Sequence, residues 1–112
     1  MKSAKKSIKL VNELMNFYFS VGIKSVQVKV EHDKRKTEIC ITGEIEDISL
    51  KQLEDLEMSL NTAREKQVEE YYWELAGENN QSQELSLVGM MIDKAEVNYE
   101  NNELMIKIAR EE

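Results

Sequence analysis

The sequence predicts a two-layer α+β sandwich: a four-stranded, mostly antiparallel sheet covered on one face by helices, in the order α-β-β-α-α-β-β. Three observations carry this. Apolar residues recur at helical spacing in the first twenty positions and again after residue 49. Two pairs of short stretches alternate apolar and polar residues, each pair around a turn. Strands with one apolar and one polar face need cover on one side only, and helices supply it.

The first helix is predicted over 4–21. Ile8, Val11, Met15 and Tyr18 follow helical spacing, Leu10, Leu14, Phe17 and Val21 widen the stripe, and Gly22 is a natural stop. In 23–31, Val26, Val28 and Val30 alternate with Gln27, Lys29 and Glu31. After a charged turn, Ile39 and Ile41 alternate with Glu38, Cys40 and Thr42, which makes a hairpin. A long helix is predicted over about 49–76. Ser49 caps it, Gln52 completes a capping box, and Leu53, Leu56, Leu60 and Ala63 form its stripe. The polar loop Gly77 to Ser82, GENNQS, ends it, and a short helix follows at about 83–92. In the last hairpin Val97 and Tyr99 face Leu104, Ile106 and Ile108 across an Asn101-Asn102 turn, where asparagine tolerates positive φ.

At 112 residues the chain is expected to form one domain, 1–112, and 41% apolar residues suffice for a core without staples. The net charge of -7 argues against nucleic-acid binding. The basic cluster from His32 to Lys36 is short, interrupted by Asp33, and reads as a solvated turn. No stretch approaches the roughly 20 apolar residues of a membrane span, and no signal-type run follows Lys2, Lys5, Lys6 and Lys9. A cytoplasmic, soluble protein is expected. The single cysteine, Cys40, has no disulfide partner in the sequence.

Catalytic and metal-ligating constellations are not expected. His32 lies between Glu31 and Asp33, but adjacent side chains in extended structure do not converge on a metal. Cys40 faces away from Ile39 and Ile41 and has no histidine at catalytic spacing. Glu54, Asp55, Glu57, Glu65, Glu69 and Glu70 are interspersed with Lys51, Arg64 and Lys66, as on a solvated helical face. Tyr71, Tyr72 and Trp73 cannot share one helical face, so they divide between core packing and a surface strip. Met58, off the leucine stripe, joins Tyr72 and Trp73 as candidate contacts with a partner, and Phe17 and Phe19 on the first helix form a second candidate set.

The element order, with LSLVGMMIDKAEV at 85–97, resembles the ATP-binding domain of the GHKL superfamily, shared by histidine kinases, anti-sigma-factor kinases, gyrase and heat-shock ATPase chaperones. The resemblance implies a nucleotide site built from an Asn on the first helix, an Asp-x-Gly after the first hairpin, a mobile lid, and a Gly-x-Gly loop before the short helix. Carried onto this chain, those positions are Asn16, Thr42 with Gly43, and Ser82 with Glu84. The chemistry has changed at most of them. Asn16 could still hold Mg²⁺, but the general-base position one turn earlier is Asn12, and Glu13 faces about 100° away around the helix. The adenine-reading Asp is absent at both Thr42 and Gly43. Glycines that would let backbone N–H groups approach phosphates are Ser82 and Glu84. A glutamate about 4 Å from a phosphate at an effective dielectric near 20 costs on the order of 4 kcal/mol.

The expectation is therefore a non-catalytic regulatory or interaction module on a degenerate histidine-kinase-type ATPase fold, with no resident cofactor. Its partner is a protein, with a signalling or transcription regulator implied by the resemblance, and homodimerisation is a further expectation. The alternative is an ATP-binding, anti-sigma-factor-like kinase or ATPase using Mg²⁺ and ATP at an atypical site.

Overall fold

A computed structural model describes residues 2–62, 64 and 85–111. It is an α+β sandwich with the expected element order: α1 (Lys2–Ser20), β1 (Ser25–Asp33), β2 (Lys36–Glu44), α2 (Leu50–Leu60), α3 (Leu85–Met90), β3 (Lys94–Glu100) and β4 (Glu103–Glu111). The strands form one antiparallel sheet in the order β1-β2-β4-β3. Each hairpin keeps its strands adjacent, and β2 and β4 meet in the middle.

Sequence periodicity explains each strand's two faces. Thr37, Ile39, Ile41 and Gly43 of β2 are buried, as are Leu104, Ile106 and Ile108 of β4. The register lays Val28, Ile41, Ile106 and Val97 in one row across the sheet, and Val30, Ile39, Ile108 and Ala95 in the next. The opposite face carries Lys29, Cys40 and Lys107 in a row, and none of the described helices lies over it. The turns also follow from their residues. Asn101 and Asn102 have φ of 54° and 64°, the paired positive values a two-residue hairpin needs. Lys34, at φ 57°, turns the first hairpin, so His32 and Asp33 belong to β1 and not to the turn.

On α1 the buried apolar residues are Leu10, Leu14, Phe17 and Tyr18, one continuous stripe at i, i+4, i+7 and i+8, and the polar Lys6, Ser7 and Glu13 are buried as well. Ile8, expected in that stripe, is 61% exposed on its flank. Gly22, at φ 81°, ends the helix as expected.

The predicted long helix is corrected. Ser49 and Gln52 form the expected capping box, with Gln52 N–H donating to Ser49 Oγ at 3.1 Å and Ser49 N–H to Gln52 Oε1 at 2.9 Å. The helix stops at Leu60, and residues 61, 62 and 64 are not helical. Asn61 supplies the stop: its backbone N–H and its side-chain Nδ2 both donate to the Glu57 carbonyl, at 3.0 and 2.8 Å. Asparagine and threonine bond nearby backbone groups readily, which favours an end over continuation. The remainder of the predicted helix, 65–76, lies outside the described residues, as does the loop from Gly77 to Ser82.

The short helix is also shorter than 83–92, and Met91, Ile92 and Asp93 follow it outside the helix. Asp93 is a tie point there. Its carboxylate accepts from Arg64 Nη1 and from the Glu111 N–H, each at 2.6 Å, and its own N–H donates to the Ala109 carbonyl.

Candidate functional site

The apolar cover is uneven across the sheet. Over β2 and β4 the inner side chains are almost wholly buried; on β3 Ala95, Val97 and Tyr99 are half-buried. On β1, an edge strand, Val28 and Val30 remain 41% and 42% exposed. Ile8 of α1 leans toward the same place. Ser7, Ile8, Val11, Asn12, Val28 and Val30, with His32, line a groove of about 370 Å³ between α1 and β1. Its walls are mostly hydrocarbon, and among the described residues the outer edge of β1 has no neighbouring strand. An edge strand presents a row of backbone N–H and C=O groups with no ladder partner. His32 is held in strand geometry by a 2.8 Å hydrogen bond between its Nδ1 and the Thr37 hydroxyl.

By periodicity Ile8, Val28 and Val30 belong to the inner, apolar faces of their elements. Their spacing is that of core residues, and nothing local marks β1 as an edge. The pairing order that leaves β1 outside is a property of the assembled sheet.

The positions drawn from the nucleotide-site resemblance do not converge on one pocket. Asn16 is half-buried on α1. Thr42 is half-buried on the face of the sheet opposite the described helices, because its neighbours Ile41 and Gly43 point to them. Gly43 lies against Tyr18: a Cβ at position 43 would stand 2.6 Å from Tyr18 Cε2 and 2.7 Å from Cδ2. The Tyr18 ring therefore occupies the inner surface of the sheet at Gly43. Its hydroxyl proton is shared between the carbonyls of Leu104 at 2.9 Å and Ile41 at 3.0 Å. Phe17 meets that ring edge-on, with centroids 6.2 Å apart. Burial raises the Tyr18 pKa well above its ordinary value of 10.0. Ser82 and Glu84 lie outside the described residues.

A second cleft lies between the end of α1, α2 and the start of α3. It measures about 260 Å³ and is lined by residues including Phe17, Gln52, Asp55, Leu56, Ser59 and Leu85. Its described lining offers an anionic group and no cationic one to a phosphate.

The expected contact residues divide. Phe19 is 65% exposed and Met58 is 74% exposed, both available to a partner. Phe17 is corrected to a core residue at 5%, because it occupies the same stripe as Leu10, Leu14 and Tyr18. Tyr72 and Trp73 lie outside the described residues, so the strip they were expected to form with Met58 does too. Among the described residues, no three His, Cys, Asp or Glu side chains are grouped to hold a metal ion, and no helix is long and apolar enough to cross a membrane.

No protein-family model, curated protein or solved structure matches this chain.

Proposed function

We propose that this chain is a non-catalytic regulatory module that works through protein contacts, on an architecture related to the histidine-kinase-type ATPase domain. The observation that carries the reading is the bare flank of the sheet. Ile8, Val28 and Val30 are three large aliphatic side chains exposed side by side around an apolar groove, beside a strand edge that no other described strand pairs. Single exposed apolar residues are ordinary on protein surfaces; a contiguous set beside open backbone groups is a docking feature. The changed nucleotide chemistry supports the non-catalytic part of the proposal. Thr42 points away from the described helices, Gly43 is spent on packing Tyr18, and the cleft between α1, α2 and α3 is lined by the carboxylate of Asp55. The relation to the kinase-type domain rests on the element order and on the pattern at 85–97. The kind of partner that resemblance suggests is a signalling or transcription regulator.

Thermal unfolding with and without millimolar Mg-ATP tests the proposal. An unchanged transition is expected. Ligand at 100 times its Kd stabilises the folded state by about 2.7 kcal/mol. A stabilisation of that size would replace the interaction module with a working nucleotide site.

A further inference from the structure

Resting on the reading of the β1–α1 flank as an interaction surface, we propose that its occupant is a second copy of this chain. The two β1 strands pair antiparallel about a two-fold axis at Val30 and join the sheets into one of eight strands. The chemistry of β1 selects both the partner and the register.

Within Ser25–Asp33 the side chains alternate strictly. Val26, Val28, Val30 and His32 face the helix side, and Gln27, Lys29, Glu31 and Asp33 face the other. When the strand pairs with itself, residues of the same face must stand opposite one another, so few registers are open. Centring on Lys29 places Lys29 over its own copy, and centring on Glu31 does the same with glutamate; like charges directly opposite are unfavourable. Centring on Val28 sets no opposite charges together. Centring on Val30 places Lys29 opposite Glu31 of the second copy and Glu31 opposite Lys29 of the second copy. Because Lys29 and Glu31 already stand within 3.9 Å of each other on one strand, the four charges form an alternating square. On the helix side the same register puts Val30 against Val30 and Val28 against His32 of the second copy.

Edge strands escape such pairing when a charge points inward or a proline or bulge interrupts them. The inward face of β1 carries no lysine, arginine or carboxylate side chain, the sequence has no proline, and the ladder with β2 runs unbroken from Ser25 to Asp33. The two-fold axis stands perpendicular to the sheet, so both helix layers lie on one side. With α1 over β2, the two α1 helices stand three strand spacings apart, about 14 Å. A helix with its side chains is about 10–12 Å across. The two grooves therefore merge into one narrow channel, closed from below by Val28 and Val30 and from the sides by the two Ile8 residues.

Sedimentation or light scattering of the full chain at high micromolar concentration reads the outcome, with circular dichroism to verify folding. The wild type is expected at twice its 13.0 kDa chain mass. Lys29→Glu and Glu31→Lys each set like charges across the seam and are expected to shift the population to monomer. The double variant Lys29→Glu/Glu31→Lys restores the alternating square and is expected to restore the dimer. A Val30→Cys variant, in a Cys40→Ser background, is expected to form a disulfide-linked dimer on oxidation, whereas Val28→Cys is not, since position 28 faces position 32. A monomeric wild type overturns the proposal. So does a dimer whose mass ignores all three charge variants, because it uses another surface. That second result leaves the interaction-module reading in place, which only the nucleotide result removes.

Discussion

Tyr18 and Gly43 show how one residue's identity depends on another 25 positions away. The tyrosine ring lies flat enough on the sheet that only a glycine fits beneath it, and its hydroxyl ties α1 to the backbones of β2 and β4 at once. The cost of ionising that buried hydroxyl gives a pH signature. Folding raises the pKa above 10.0, so the native state holds a proton that the unfolded chain releases. The stabilisation is complete below pH 10.0 and is lost as pH climbs toward the native-state value. One group with this behaviour contributes a slope of up to about 1.4 kcal/mol per pH unit. Tyr18→Phe is expected to flatten the fall in denaturant-measured stability above that pH while lowering stability at neutral pH by about 1–2 kcal/mol, as an unmet buried acceptor costs. An identical alkaline slope in both proteins would place the ionising group elsewhere. At this scale, what was legible was local. Ser49 with Gln52, and Asn101 with Asn102, act through bonds and dihedrals within three residues of themselves. Gly43 was read only as a position in a lost motif, because its packing partner is remote in sequence.

The elements show the same division. Strand alternation and helix starts were legible, since both follow from period and capping chemistry. The end of α2 was not, because the leucine stripe continues in pattern to Ala63 while Asn61 has already closed the last turn. Tertiary packing accounts for the turn as well: Gly89 of α3 sits against the Ser59 carbonyl, so close that any Cβ would collide with it and would stand 3.2 Å from Thr62 Cβ. Two substitutions separate the local from the tertiary contribution. Ser49→Ala removes a cap and is expected to cost about 1 kcal/mol. Gly89→Ala forces a methyl group against the Ser59 backbone carbonyl between α2 and α3, for which overpacking costs of about 1–3 kcal/mol or more are usual. Chemical denaturation of both variants checks the ranking; a Gly89→Ala protein as stable as the parent would mean that the two helices separate without loss.

For the whole molecule, the fold class was legible because four half-apolar strands and amphipathic helices admit few arrangements. The strand order β1-β2-β4-β3 was not, since hairpins fix only nearest pairs. That order decides which apolar surface is left open. It places one hairpin strand of each pair at an edge, and α2 packs against β3 while β1 keeps Val28 and Val30 open. The most informative residues are thus ones whose spacing marked them as core. The candidate site was legible in part: Phe19 and Met58 are exposed as expected, whereas Phe17 is core and the Ile8 groove was unforeseen. Hydrogen exchange across a range of protein concentrations tests the central claim most directly. Amides of β1 are expected to exchange fast in dilute protein and to slow as concentration rises, while the β2–β4 pair stays protected throughout. Exchange in β1 that is independent of concentration would contradict the flank as a surface for a second copy.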